Sequence, residues 1–338
     1  MESYAGIDLH SSNNFVGIIN EEDRRLYQKR LPNRLEDVLL ALEPFKESLK
    51  GVVIESTYNW YWLVDGLQEH GYKVHLANPS AIKQYEGLKH TDDKWDSFWL
   101  AHMKRLNILP EGYIYPKEER PVRDLLRRRV LYVRHRTSHI LSLQSAITRN
   151  LGYTISGNDI KKLNGSDADQ LFDEPFLVLA AKNSIATIGF LSERINEIER
   201  GVKSHARLKP EFKHLLTMPG IGNILGLTIM LEVGDIKRFP EVGNYSSYCR
   251  CVKSDRLSNK KKKGEGNRKN GNKYLAWAYV EAANFAVRSY PEFQGFYDRK
   301  KSRTHGVVAI KAVSNKLARA SYYVMRDHVP YDASKMFR

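Results

Sequence analysis

Apolar and polar positions alternate through three short stretches near the start of the chain, residues 4–9, 14–20 and 25–31, with polar breaks at 11–13 and 21–23. A period of two marks strands, and breaks this short join neighbours in antiparallel order, so the pattern predicts a three-stranded meander. After Pro32 the period lengthens. Leu35, Val38, Leu39, Leu42 and Phe45 fall at helical spacing, followed by the apolar run 52–54, a helix over about 59–69, a strand at 73–77 and another helix opened by Pro79. Three antiparallel strands followed by strands alternating with helices is the element order of an RNase H-like α/β domain.

From Pro121 the pattern becomes helical throughout. Leu126, Val130, Val133, Thr137, Ile140, Gln144, Ile147 and Leu151 step by alternate fours and threes, a heptad seam with two polar breaks. A second seam runs through Ile188, Leu191, Ile195, Ile198 and Val202. The two read as antiparallel arms of a helical hairpin, or as arms pairing between subunits, on either side of a loop-rich stretch at 157–173. Beyond Pro210, the segment Leu-Leu-Thr-Met-Pro-Gly-Ile-Gly at 215–222 precedes an apolar helix through Leu225, Ile229 and Leu231. A polar loop is expected over 255–271 and an alanine-rich helix over 274–287. Three segments result: an α/β RNase H-like domain at 1–120, a helical coiled-coil connector at 121–208, and a mainly α C-terminal domain at 209–338.

Charge changes the picture from fold to partner. The 338 residues carry a formal net charge of +15, which points to a polyanion, nucleic acid first and an anionic membrane face second. No uninterrupted apolar run approaches the ~18 residues that span a bilayer, so no membrane partner is expected. The two cysteines, Cys249 and Cys251, are too close for an ordinary bridge and lack further ligands at zinc spacing. A reducing compartment follows, and with no secretory signal at the start the expected location is the cytoplasm.

Against this basic background four acids occupy conspicuous places. Asp8 lies in the small, apolar run Tyr4-Ala5-Gly6-Ile7-Asp8-Leu9, where a buried carboxylate is costly unless a cation compensates it. Glu55 ends Val52-Val53-Ile54, a strand expected beside the first. Asp93 and Asp96 stand three apart at the start of a helix and share a face, whereas Asp92 points elsewhere. Convergence of Asp8, Glu55, Asp93 and Asp96 would suit Mg2+ or Mn2+, hard cations that bind through carboxylates, waters and phosphate oxygens. Two such ions about 4 Å apart would flank a scissile phosphate.

These motifs resemble a known family. Gly6-Ile7-Asp8, Ile54-Glu55-Ser56-Thr57 and residues 91–96 with Leu100-Ala101 look like the N-terminal block of the DEDD insertion-sequence transposases, whose first domain is similar to the RuvC junction resolvases. Met218-Pro219-Gly220-Ile221-Gly222, Asp235-Ile236, Arg238-Phe239, Ser258 and Lys269-Asn270-Gly271-Asn272 with Leu275 resemble the family's C-terminal domain in order and spacing. The resemblance runs from about residue 4 to residue 290. Upstream of the serine this chain reads Arg250-Cys251-Val252-Lys253, where members usually show a Gly-Leu-x-Pro tract, and Asn259 replaces a common glycine.

The resemblance implies a DNA transposase or recombinase in which Ser258 matches the nucleophile and forms a transient phosphoserine link to DNA. It implies double-stranded donor and target DNA, a structured noncoding guide RNA in some members, and a homo-oligomer, dimer or tetramer. Pilin-gene invertases are relatives. Flanking cations around Ser258 suit charge developing on a phosphate, although Ser254 lies in the same tract. For nucleic-acid binding the sequence offers Arg123, Arg127, Arg128 and Arg134 along the first seam, with Arg129 and Arg136 beside them. It also offers a helix-hairpin-helix-like turn at Gly220 and Gly222, and the cationic run Lys260, Lys261, Lys262 and Lys263.

Overall fold

The computed structural model describes residues 1–82, 93–206, 210–253, 255–258, 261–265 and 270–337, in two compact units, Met1–Lys117 and Glu118–Arg338. The first is built on a mixed sheet. Strands β1 (Ser3–Leu9), β2 (Asn13–Asn20) and β3 (Arg25–Pro32) form the expected meander. Helix α1 (Leu35–Leu42) returns the chain to β4 (Leu49–Glu55), and α2 (Tyr61–Glu69) to β5 (Val74–Ala77); β4 pairs parallel with both β1 and β5. The order β3-β2-β1-β4-β5 is consistent with an RNase H-like domain. Pro79 lies in a turn closed by Ala81 N–H on the Asn78 carbonyl, and the helix expected beyond it falls outside the described residues.

Parity along the strands sorts the two faces. Ala5, Ile7, Leu9, Val16, Ile18, Val52 and Ile54 point to one core, shared with Val38, Leu42, Leu63, Val64 and Leu67 from α1 and α2. The intervening residues face the other way, where α3 (Asp93–Arg105) packs through Phe98, Leu100, Ala101 and Met103 on Ile19, Val53 and Ala77. Two paired glycines, Gly6 and Gly17, admit this helix against the strands. A Cβ at Gly6 would collide with the Ser97 carbonyl oxygen and lie 2.9 Å from Ala101 N; one at Gly17 would lie 2.7 Å from Ser97 Oγ.

The second unit is mainly helical. Its long arms are α4 (Arg120–Leu151) and α7 (Pro175–Ala206), which pair antiparallel within the chain: Arg129 bonds Glu199, and seven residues along α4 Arg136 bonds Ser192, seven residues back along α7. Leu126, Val130, Ile140 and Ile147 are buried as the seam predicts, but Thr137 and Leu151 are exposed, and Leu143 is buried in place of the half-buried Gln144. The stretch expected to be loop instead forms α5 (Gly157–Ile160) and α6 (Gly165–Leu171), capped by Ser156 and Asn164. Residues Pro175–Lys203 of α7 are long and apolar enough to cross a membrane by length and composition, although polar residues interrupt the stretch. In this structure Ala181, Ile185 and Ile188 share a core with Ile140 and Ile147 of α4.

The arms are not a separate connector. Leu126, Ile198 and Val202 belong to the same core as α8 (Pro210–Leu215), α9 (Asn223–Val233), α10 (Val242–Tyr248), α11 (Lys273–Ser289), α12 (Pro291–Lys301) and α13 (Gly306–Arg326). Between α10 and α11 the sequence suggested a polar loop. The chain there forms an antiparallel pair, β6 (Asp255–Ser258) and β7 (Lys261–Glu265); main-chain pairing needs no apolar alternation in the sequence.

Candidate active site

Asp8 and Glu55 meet by register. Ile7 is the partner of Ile54 across the parallel β1–β4 pair, so the next residues, Asp8 and Glu55, stand side by side at the carboxyl ends of both strands. Both follow Gly6 and Val53 by two and share their face, the one α3 covers. Asp8 is buried, 3% exposed, while Glu55 is half-buried. Asp96, half-buried on α3, precedes the Ser97 that rests on Gly6, so the glycine contact sets its height above Asp8. Asp93 opens α3; its side chain lies outside the described residues.

The electrostatics favour a cation at this place. Burial, then a hydrogen bond with Glu55 and the charges of Glu55 and Asp96, push the Asp8 carboxyl up to about 7, while the neighbouring His10 acts in the opposite direction. His10 Nε2 lies 3.1 Å from Asp8 Oδ2, and the His10 carbonyl accepts hydrogen bonds from Asn33 and Asn59 that fix the strand end. Nothing in the sequence pattern singled out His10. Negative charge is crowded here beyond what one imidazole offsets, and a divalent cation held by Asp8, Glu55 and Asp96 is the compensation this donor set fits. Among the described residues no group of three or more His, Cys, Asp or Glu side chains is placed to hold a metal ion as the side chains stand.

In the second unit, Ser258 ends β6 opposite Lys261; its side chain, like those of Ser254, Lys260 and Lys262, lies outside the described residues. Lys261 and Lys263 are exposed. The hairpin's two roots are fastened to one turn. Cys251 N–H donates to the Ser246 carbonyl, and Arg250 donates from Nε and Nη2 to the Gly271 carbonyl at 3.0 and 2.7 Å. Gly271, at φ +87°, sits where a Cβ would strike the Tyr248 carbonyl.

Beside that root lies a buried polar network that the sequence reading missed. Glu232, 1% exposed at the end of the apolar α9, accepts hydrogen bonds from Arg123 Nε at 3.1 Å, Arg127 Nη2 at 2.8 Å and Asn272 Nδ2 at 2.7 Å. Burial alone would raise its carboxyl, but hydrogen bonding to Arg127, the charges of Arg123 and Arg127, and the Asn272 amide outweigh it and hold Glu232 below the usual carboxylate range. One acid in an otherwise apolar helix was the available signal, the same that marked Asp8.

The network corrects the expected DNA contacts. Arg123 is buried and Arg127 is turned inward onto Glu232 and the Tyr274 ring, so neither presents a free guanidinium to a phosphate. Arg129 bonds Glu199. Arg128 and Arg134 are exposed. Gly220, at φ +76°, lies where a Cβ would strike the Ala282 carbonyl of α11, so its conformation serves helix packing; Gly222 is exposed at the N-cap of α9.

A mixed sheet of this order, with acids at adjoining strand ends and on the covering helix, is consistent with the class of RNase H-like carboxylate domains. Comparison with known proteins narrows it. Residues 5–150 match a transposase profile named for the DEDD transposases of IS110, and residues 212–298 match the profile described as "Transposase IS116/IS110/IS902 family". A transposase for insertion sequence element IS1328 of Yersinia enterocolitica is 24% identical over 332 residues, covering 94% of this chain and 95% of the relative. An uncharacterized 43.6 kDa protein of insertion element IS110 from Streptomyces coelicolor is 23% identical over 143 residues, covering 42% of this chain and 35% of the relative. The chain is an IS110-family transposase with a RuvC-like DEDD domain and the family's C-terminal domain. Its substrate is DNA, and the DEDD domain implies dependence on a divalent metal.

Proposed function

We propose that the chain is an RNA-guided, site-specific DNA transposase that cuts and rejoins strands through a serine-linked intermediate. The observation that supports the reading is the adjacency of Asp8 and Glu55 at the carboxyl ends of β1 and β4, with the charge of Asp96 on α3 also felt at Asp8, in a protein of net charge +15. Asp8, Glu55 and Asp96, joined by Asp93 from the preceding turn of α3, hold Mg2+ or Mn2+. The bound metal supplies neutralisation of phosphate charge and activation of the reacting oxygens.

The chain's own residues do the rest. Burial of Asp8 keeps water from competing for its oxygens, and the Gly6 contact keeps Asp96 at a fixed height. Ser258 Oγ attacks the phosphorus of a phosphodiester. The new bond joins serine to phosphate, the bond to the leaving deoxyribose oxygen breaks, and that oxygen takes up the proton the serine gave up. The phosphoserine conserves the bond energy, so a second deoxyribose hydroxyl can displace the serine and rejoin a strand without ATP. Lys261, Cα partner of Ser258, supports the charge developing on the phosphate. Arg128 and Arg134 contact the DNA backbone, and the enzyme acts in the cytoplasm as a homo-oligomer, dimer or tetramer.

Denaturing gels of protein trapped on DNA test the serine. Ser258→Ala should abolish both the covalent adduct and strand exchange; cutting that persists without an adduct would make the chain a metal-dependent nuclease using water. Guidance rests on the family resemblance, and sequencing nucleic acid copurified with the protein tests it. A discrete noncoding RNA encoded beside the gene is expected, and only random fragments would remove RNA from the reading.

A further inference from the structure

We propose that the corner between α12 and α13 is a docking surface for the phosphate backbone of duplex DNA, made by Arg299, Lys300, Lys301 and Arg303. The inference rests on the chain's identity as a DNA-acting transposase and names where the second unit holds that DNA. All four side chains are exposed. Among the described residues none has a carboxylate partner; the contact they make is Lys301 Nζ over the Tyr297 ring at 5.7 Å. Several arginines elsewhere in the unit are internally neutralised: Arg123 and Arg127 by Glu232, Arg129 by Glu199, Arg194 by Glu197, Arg326 by Asp327. The α4 arginines that sequence alone favoured are thus partly spent, whereas this corner keeps its charge.

A run of cations is commonly just a solvated face, and three of these serve the end of a helix. Arg299, Lys300 and Lys301 occupy the last turn of α12, where positive charge is favoured by about 0.3–1 kcal/mol. That does not account for Arg303, which lies past the helix, nor for crowding four like charges into five residues. The corner is also held in place. Phe293 and Val313 are fully buried beneath it, Ser302 N–H donates to the Asp298 carbonyl, Thr304 Oγ1 donates to the Lys300 carbonyl, and Ala309 N–H donates to the His305 carbonyl. Cations of one sign grouped on a corner whose main chain is held in place suit a run of backbone phosphates, and each phosphate they neutralise releases condensed counterions. The exposed Val307, at the start of α13, adds an apolar surface next to the charges for deoxyribose contact.

The test is the salt dependence of binding. Fluorescence anisotropy with a random-sequence 30-base-pair DNA duplex would compare the full chain with its R299Q/K300Q/K301Q/R303Q variant, each checked for unchanged melting temperature. At about 0.9 per phosphate contact, the variant's plot of log affinity against log salt should be shallower by about 3 to 4 units. Its affinity at low salt should fall at least tenfold. K161Q/K162Q, which removes exposed lysines just after α5, should leave the slope unchanged. An unaltered slope in the quadruple variant overturns the proposal. So does a loss confined to a structured RNA hairpin or to anionic phosphatidylserine vesicles, which would assign the corner to another partner. A wild-type chain without measurable duplex affinity would overturn the DNA-acting reading itself, an outcome distinct from equal slopes.

Discussion

Glu232 and Asn272 are joined by a hydrogen bond of 2.7 Å that ties the end of α9 to the N-cap residue of α11, downstream of the hairpin carrying Ser258. Asn272 also caps α11, its Oδ1 accepting from the Tyr274 and Leu275 N–H groups. One side chain therefore links a buried acid, a helix start and a hairpin root.

Removing Glu232 should be among the most damaging substitutions in the second unit. Glu232→Ala leaves Arg123 buried without its counter-charge, and breaking one partner of such a pair costs about 3–5 kcal/mol. Glu232→Gln keeps the shape and one acceptor oxygen, so its loss should be smaller. Urea unfolding of both variants checks the order. The sign of the pH dependence follows from the lowered carboxyl: stability from this group is present above the ordinary glutamate range and is lost as pH falls through its depressed value.

Asp8 should behave in the opposite sense. Its carboxyl is raised to about 7, so between the ordinary aspartate range and that value the folded chain holds a proton the unfolded chain has released. Metal-free stability should therefore fall as pH rises from about 4 to about 7, by at most about 1.4 kcal/mol per unit of the difference. Asp8→Asn removes the ionisation. The variant should melt higher than wild type at pH 8 without metal, lose strand cleavage, and lose the upward shift in melting temperature that added Mg2+ or Mn2+ gives wild type. Thermal melts at pH 5 and pH 8, with and without metal, check this; a wild-type melting temperature indifferent to both would remove Asp8 from the metal site.

Asp8 and Glu232 also show how far sequence carries. Each is a lone acid in an apolar stretch, but Asp8 ends a strand whose alternation fixes its face and its neighbour Glu55. Glu232 lies in a helix buried on all sides, where periodicity indicates no direction. The strand order was legible for the same reason: alternation survives wherever a strand is packed into a core. The hairpin at 255–265 was not, since its polar residues carry no such signature. Arg123 and Arg127 stood on the expected helix, yet spacing along α4 cannot say that an acid 105 or more residues away awaits them.

The two glycines under α3 offer a graded test of how the carboxylates are positioned. At Gly6 an added Cβ meets main-chain atoms of Ser97 and Ala101, which can yield only if the helix moves; at Gly17 it meets the Ser97 hydroxyl and the Phe98 ring, which can turn aside. Gly6→Ala should therefore lift α3 and carry Asp96 away from Asp8, costing about 1–3 kcal/mol as overpacking does. A displacement of about 1 Å at a reacting centre can cost on the order of 100-fold in rate. Metal-dependent strand cleavage by Gly6→Ala should fall by that order while duplex binding is retained, because the cationic surfaces of the second unit are untouched. Gly17→Ala should lose less on both counts, and Gly17→Ala with Ser97→Ala should recover part of that loss. Equal effects of Gly6→Ala and Gly17→Ala on cleavage would show that the height of α3 above β1 does not set the catalytic geometry.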